Sequence, residues 1–93
     1  MFKWLNKQGV ESDKGFIVQS VDRFTIEYKE GNKSISIYVE DGYMPDRKVC
    51  IYINSDAFHI WDNGLPVPEL KQIELLQNFR EAMKFQNITV LIE

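Results

Sequence analysis

The chain has 93 residues and a mass of 11.0 kDa, which is the size of one domain. Hydrophobic residues make up 44% and charged residues 27% of the chain, and this balance excludes a disordered or collagen-like protein. The net charge of -3 argues against a nucleic-acid binder, which needs cations for the phosphates, and a single Cys excludes an internal disulfide.

Polar, charged and glycine positions alternate irregularly over residues 1–14. We predict that this segment is a short arm or a loosely docked turn, and that one domain spans residues 15–93. The segment lacks the apolar run of a signal peptide, and no part of the chain approaches the 18 apolar residues of a membrane span. We therefore expect a cytoplasmic protein that does not contact a membrane.

Apolar and polar residues alternate with a period of two from Gly15 onwards, which is typical of strands with one buried face. The alternation predicts strands over residues 16–21, 24–29 and 34–40, with a tight turn at Asp22-Arg23 between the first two. In the second strand, Phe24, Ile26 and Tyr28 would share one face, and Thr25, Glu27 and Lys29 would lie on the other. Gly31-Asn32 separates the last two strands and suits a two-residue hairpin turn. In this hairpin, Ile and Val side chains point to one side, and hydroxyl and charged side chains point to the other.

The second half of the chain combines strands with one helix. Alternation predicts a strand over residues 49–54 and a short one over 57–61, before a break that contains Asn-Gly and two prolines. Apolar residues then recur at helical spacing over residues 68–85. Pro68 suits the first helical position. The apolar stripe of this helix is expected to contain Leu70, Ile73, Leu76, Phe79 and Met83, and it is widened by Leu75, Ala82 and Phe85. A final strand follows over residues 87–93.

These elements predict an α+β fold, in which an antiparallel sheet of five to six strands carries one C-terminal helix on one face and is followed by a final strand. Because one helix covers one face of the sheet, the opposite face stays open. The open face would be a wetted surface or a docking surface for a partner. We expect the contacts of such a partner to come from Glu27, Tyr38, Glu40 and Tyr52, with Asp62 in a flanking acidic loop.

The charge balance differs between the two halves of the chain. Residues 1–48 carry eight basic and eight acidic side chains, whereas residues 49–93 carry three basic and six acidic ones. The excess negative charge therefore lies in the second half, which favours either a solvated surface or association with a basic partner.

Catalytic chemistry has little support in the sequence. His59 is the only histidine, and no nucleophile with an orienting group accompanies it in a recognisable motif. Cys50 lies within a strand without the cationic surroundings that activate a thiol. Glycine-rich phosphate loops and metal-ligand spacings do not occur in the chain. We expect a protein without enzymatic activity or cofactor.

Several features in chain order resemble the immunity protein 74 family of bacterial polymorphic toxin systems. They are the strand from Ile35 that ends in Glu40, the segment Phe58-His59-Ile60-Trp61 before Asp62, the break from Asn63 to Pro68, the helix containing residues 73–82, and the terminal strand. The resemblance covers residues 15–93. Glu40 and Trp61 are the positions that match the pattern of the family.

The resemblance implies a small cytoplasmic protein that binds and blocks a cognate toxin domain in the cell that produces it. Toxins of this kind are often nucleases with basic clefts, and the acidic second half of the chain would complement such a cleft. Glu40 would then lie on the open face and take part in the contact, and Trp61 would either take part in it or pack in the core against the helix.

Two other functions stay open at this stage. One is a small-molecule-binding or enzymatic domain with a pocket between helix and sheet near His59 and Trp61, for which an enclosed volume of at least about 300 Å³ is expected. The other is a self-associating module that pairs through its last strand or its open face. The sequence is compatible with a monomer and with a dimer.

Overall fold

The computed structural model describes residues 1–93 and has the predicted α+β fold, although its strands form two sheets. The first sheet contains β1 (Phe2–Asn6), β2 (Gly9–Ser12), β3 (Phe16–Asp22), β4 (Thr25–Glu30) and β5 (Lys33–Tyr38), paired in chain order and antiparallel. The second sheet contains β6 (Glu40–Tyr43), β7 (Val49–Ile53) and β8 (Thr89–Ile92). The one helix is α1 (Glu69–Phe85), which is too short and too polar to cross a membrane.

The N-terminal residues form a hairpin and not the predicted arm. β1 pairs with β2 and β2 pairs with β3, so residues 2–12 add two strands to the first sheet. Trp4 packs against Phe85 of α1 with ring centroids 5.8 Å apart and remains 52% exposed, while Val10 is fully buried. These contacts hold the hairpin on the domain. A bulge between Trp4 and Asn6 interrupts the alternation of β1, so the sequence pattern does not predict this strand.

The hairpin of β4 and β5 confirms the most regular pattern in the sequence. Its six cross-strand pairs run from Thr25 opposite Tyr38 to Glu30 opposite Lys33. Gly31 takes a φ of 62° in the two-residue loop, a conformation that costs glycine little. Ile35 and Ile37 are buried, as the alternation predicts, while their polar neighbours point outwards.

The predicted single sheet divides at Val39, where the chain passes directly from β5 to β6. The backbone N–H of this buried residue donates to the Phe24 carbonyl oxygen at 2.9 Å. β6 then pairs with β7, and β8 lies parallel to β7 because α1 supplies the crossover between them. The last strand therefore joins the second sheet and not the meander.

The predicted strand over residues 57–61 is absent, and the segment forms turns. One isolated bridge joins Ile60 to Pro66, and the backbone N–H of Val67 donates to the His59 carbonyl oxygen at 2.8 Å. The segment thus folds into a compact loop in front of α1.

The helix buries only part of the predicted stripe. Phe79 and Met83 are buried as predicted, together with Leu75 and Ala82 of its widened part, whereas Leu70 and Ile73 are 83% and 61% exposed. The polar Asn78, which the pattern does not include, is also buried. One hydrophobic core fills the space between the helix and both sheets.

A polar network crosses this interface between sheet and helix. Asn78 Nδ2 donates to the Tyr28 hydroxyl at 3.0 Å, and the hydroxyl donates to Glu30 Oε1 at 2.8 Å. The other oxygen of Glu30 lies 2.7 Å from Lys71 Nζ, and Lys71 also pairs with Glu74. Burial is the largest cause that raises the pKa of Tyr28, and the carboxylates of Glu30 and Glu74 raise the pKa of Lys71.

Candidate interaction surface

The side of the first sheet that faces away from α1 carries an exposed aromatic pair. Phe24 and Tyr38 stack with ring centroids 6.3 Å apart and are 49% and 54% exposed. The Arg23 guanidinium lies 5.5 Å from the centroid of the Phe24 ring. Half-exposed, stacked aromatic rings are unusual for a surface that meets only water, since each ring leaves apolar area unburied.

Local backbone contacts place this pair. Tyr38 is the last residue of β5 and lies opposite Thr25, so its ring points away from the core beside the start of β4. Phe24 lies in the turn between β3 and β4, where its backbone N–H donates to Asp22 Oδ1 at 2.9 Å. The turn brings the Phe24 ring onto the same face as Tyr38.

Phe24 is the residue of this surface that the sequence pattern assigned wrongly. Strict alternation placed it with Ile26 and Tyr28 on the buried face. The predicted turn at Asp22-Arg23 is present, but it extends to Phe24, because an aspartate that accepts from the backbone N–H two residues later includes that residue in the turn. A turn that includes Phe24 frees its side chain from the alternation of β4.

Acidic residues flank the aromatic pair. Glu27 lies on β4 opposite Ser36 and points to the same face as Thr25, and its side chain is half-buried. Glu40 is exposed and follows Tyr38 by two residues, which corresponds to about 7 Å along an extended chain. The predicted residues Glu27, Tyr38 and Glu40 therefore lie on one continuous surface.

Tyr52 lies on the second sheet, beside Glu40. Tyr52 is the cross-strand partner of Glu40, but it lies in a different sheet from Tyr38, contrary to the single face that the sequence predicted. Its ring lies over Gly42, where an added Cβ would stand 2.7 Å from a ring carbon. The neighbouring Cys50, whose side chain is fully buried, raises the pKa of Tyr52.

Asp62 has a defined role within the fold. Its carboxylate accepts hydrogen bonds from the Ser34 hydroxyl at 3.1 Å and from both the backbone N–H and the hydroxyl of Ser36 at 3.0 Å. Its own backbone N–H donates to the Ser34 carbonyl oxygen at 2.8 Å. Asp62 thus covers the outer edge of β5, which would otherwise offer unpaired groups to another strand.

Trp61 belongs to the core, which corrects its prediction as a contact residue. It is only 4% exposed, and the Lys33 ammonium lies 5.5 Å from the centroid of its ring. A partner could not reach the indole unless the loop opened. Trp61 therefore fixes this loop in the core, and the next residue, Asp62, covers the outer edge of β5.

The region of His59 offers a shallow groove and not an enclosed pocket. The groove has a volume of about 220 Å³, and Phe58, His59 and Ile73 are among its lining residues, whereas Trp61 is not. This volume is below the value of about 300 Å³ expected for a small-molecule site. The chain has no group of three or more His, Cys, Asp or Glu residues that could hold a metal ion.

The area of the surface limits how a partner could bind. Five strands about 4.8 Å apart, with six residues rising about 3.4 Å each, present roughly 500 Å² on one face. A standard interface needs about 800 Å² per partner. A partner of the first sheet would therefore also need contacts outside this sheet.

We name this combined region, which comprises Phe24, Glu27, Tyr38, Glu40 and Tyr52, the outer face. Comparisons of the chain with protein-family models, with curated proteins and with solved structures find no match.

Proposed function

We propose that the protein is a non-enzymatic binding module and that its outer face is the contact surface for a protein partner. The observation that carries this proposal is the stacked pair of Phe24 and Tyr38, of which about half remains exposed. Aromatic residues are enriched at protein interfaces, where they bury large areas and lose little conformational entropy.

The net charge of -3 favours a basic partner, although the charges around the pair are mixed. Glu27 and Glu40 border the aromatic rings, whereas the Arg23 guanidinium lies over Phe24 and Lys29 shares the side of β4 with Glu27. Opposite charges at the rim of an interface speed association and exclude wrong partners. A partner with a cationic cleft would meet the net charge of the chain, with Glu27 and Glu40 as its anionic contacts.

The specific form of the proposal is a cytoplasmic immunity protein that neutralises a cognate bacterial toxin domain by direct binding. The resemblance to the immunity protein 74 family motivates it, and a basic nuclease domain is the class of toxin that fits the net charge of the chain. In this proposal the outer face would occlude the toxin's cleft, and the immunity protein itself would perform no chemistry.

The test uses the product of the gene next to that of this protein, which we expect to contain a basic effector domain. We expect the purified domain to bind in calorimetry, and co-expression of the two proteins to restore growth. Combined substitution of Tyr38, Glu40 and Tyr52 by alanine should weaken binding by at least about 30-fold, since truncation of a central aromatic contact alone costs about 2 kcal/mol.

Leu70→Ala provides the matched control, because Leu70 is 83% exposed on α1 and lies outside the outer face. This variant should bind and protect like the unmodified protein. Full binding and protection by the triple variant would refute the assignment of the outer face. A neighbouring domain that neither binds nor harms the cell would refute the immunity function.

A further inference from the structure

The exposed side of α1 carries two different kinds of residue along one line. Leu70, Ile73, Gln77, Arg80 and Lys84 follow one another at alternating spacings of three and four, and all five are exposed. Residues with this spacing lie on one stripe of a helix. The stripe is apolar in the first half of the helix and cationic in the second half.

The apolar half borders the groove between α1 and the end of β8. Ile73, Leu76 and Ile92 line this groove, and Phe58 lies at its wall. Ile73 is 61% and Ile92 is 42% exposed, so apolar side chains are open to water on both sides of the groove. We call this region, together with Arg80 and Lys84, the α1–β8 groove.

The cationic half has no anionic partner within the fold. None of the ion pairs of the structure involves Arg80 or Lys84. The Arg80 guanidinium donates to the Val90 carbonyl oxygen at 3.0 Å, which fixes it beside β8. Hydrogen bonding to a neutral carbonyl leaves the positive charge of Arg80 uncompensated.

The acidic residues of α1 lie elsewhere. Glu74 pairs with Lys71 within the helix, and Glu81 lies 3.7 Å from Lys14 of the turn between β2 and β3, so both carboxylates have cationic partners outside the groove. Glu69 is the one carboxylate that lines the groove, and it lies at the apolar end. It is eleven residues from Arg80, which corresponds to about 16 Å along the helix axis.

We infer that the α1–β8 groove binds an amphipathic helical peptide segment that carries two apolar side chains followed by carboxylates. The apolar residues would lie against Ile73, Leu76 and Ile92, and the carboxylates would reach Arg80 and Lys84. Ile73 and Arg80 are seven residues apart, so the two parts of the segment need a separation of about 10 Å. Glu69 would repel carboxylates at the other end and fix the direction of the segment.

Charge complementarity supports this occupant over a second copy of the chain. An antiparallel pair of α1 helices would place the apolar half of one stripe against Arg80 and Lys84 of the other. A parallel pair would bring like charges together. Peptide helices that place apolar anchors in a groove are a common mode of recognition. The inference concerns the helix side of the molecule and does not depend on the proposed function of the outer face.

The test is a nuclear magnetic resonance titration of the full ¹⁵N-labelled chain with a designed helical peptide. The probe carries two leucines one turn apart and two glutamates about two turns further on. We expect chemical-shift changes confined to α1, β8 and the loop that contains His59. A control peptide with lysines in place of the glutamates should bind about tenfold more weakly, because it loses two attractions and gains two repulsions.

Two protein variants test the two halves of the groove. Ile73→Ser and Lys84→Glu both alter exposed side chains, and each should weaken binding of the glutamate peptide about fivefold. Lys29→Glu is the matched control, since it makes the same charge change at an exposed residue of β4 and should leave binding unchanged. Absence of shifts at millimolar peptide, equal binding of both peptides, or shifts confined to the outer face would each overturn the inference.

Discussion

The buried contact between Tyr28 and Asn78 allows a quantitative test of how the helix is held on the sheet. The Tyr28 ring is fully buried, stacks on Phe16 at 5.3 Å and meets the edge of Phe58 at 6.2 Å. Substitution of Tyr28 by Phe keeps this ring packing and removes only the hydroxyl group. The change therefore isolates the hydrogen bonds from the packing of the ring.

The removal of the hydroxyl leaves Asn78 without its acceptor. Asn78 is 9% exposed and donates to Tyr28 at 3.0 Å, so its amide loses that bond where water has little access. A buried polar group left unpaired costs about 1–3 kcal/mol. We expect Tyr28→Phe to lower the free energy of unfolding by this amount, and a loss of 1 kcal/mol lowers Tm by about 4–8 °C in a domain of this size.

The double variant distinguishes an unpaired amide from a general loss of packing. Asn78→Leu replaces the amide by an apolar side chain of similar volume and leaves the Tyr28 hydroxyl bonded to Glu30 at 2.8 Å. The combination of Tyr28→Phe and Asn78→Leu removes both partners and should recover most of the loss, by at least about 1 kcal/mol. The assay is urea unfolding followed by circular dichroism. Additive losses in the double variant would refute the reasoning.

Three further predictions concern the edge of β5, alkaline stability and the second sheet. Asp62→Ala removes three accepted hydrogen bonds and should lower the free energy of unfolding by about 1 kcal/mol. It should also promote association, measured by light scattering, because the outer edge of β5 becomes free to pair. A variant that stays monomeric would contradict the role of Asp62 at this edge. The pKa values of Tyr28 and Lys71 are both raised in the fold, so their contribution to stability is complete below about pH 10 and is lost as the pH rises further; urea midpoints that stay constant from pH 8 to 11 would contradict this. Gly42→Ala should displace the Tyr52 ring and lower the urea midpoint, since the added methyl group would lie 2.7 Å from a ring carbon and 3.3 Å from Cys50 Sγ; an unchanged midpoint would show that the second sheet accommodates the methyl group.

Local patterns predicted those elements whose two faces differ clearly in polarity. The hairpin of β4 and β5 followed from alternation and from Gly31, because both signals lie within fourteen residues of the chain. The position of α1 followed from Pro68 and from the helical recurrence of apolar residues. In each case short-range periodicity determines which side chains can share a face.

Features that depend on distant contacts could not be predicted from these patterns. Asn78 is buried, and Tyr28, fifty residues away, accepts its hydrogen bond. Because the apolar pattern counts only apolar residues, it did not assign Asn78 to the buried face of α1. The division into two sheets depends on how the chain bends at Val39. The pattern therefore assigned Leu70 and Ile73 to the core although both are exposed.

The residues of the outer face were likewise predicted where local alternation places them and missed where turns or loops do. Alternation placed Glu27 and Tyr38 correctly on the side of the first sheet away from the helix. It did not find Phe24, whose exposure depends on the turn at Asp22, and it left open whether Trp61, which is buried, belongs to the core or to the contact surface. Turn chemistry and edge protection, which alternation does not describe, account for these differences.

Hydroxyl-radical footprinting of the protein, alone and with the basic effector domain, tests the role of the outer face most directly. Mass spectrometry then measures the oxidation of individual aromatic side chains. Phe24, Tyr38 and Trp4 are 49%, 54% and 52% exposed, so their oxidation in the free protein provides matched references on two sides of the molecule. Our account predicts that the partner protects Phe24 and Tyr38 and leaves Trp4 unchanged. Protection of Trp4 with continued oxidation of Phe24 and Tyr38 would contradict it.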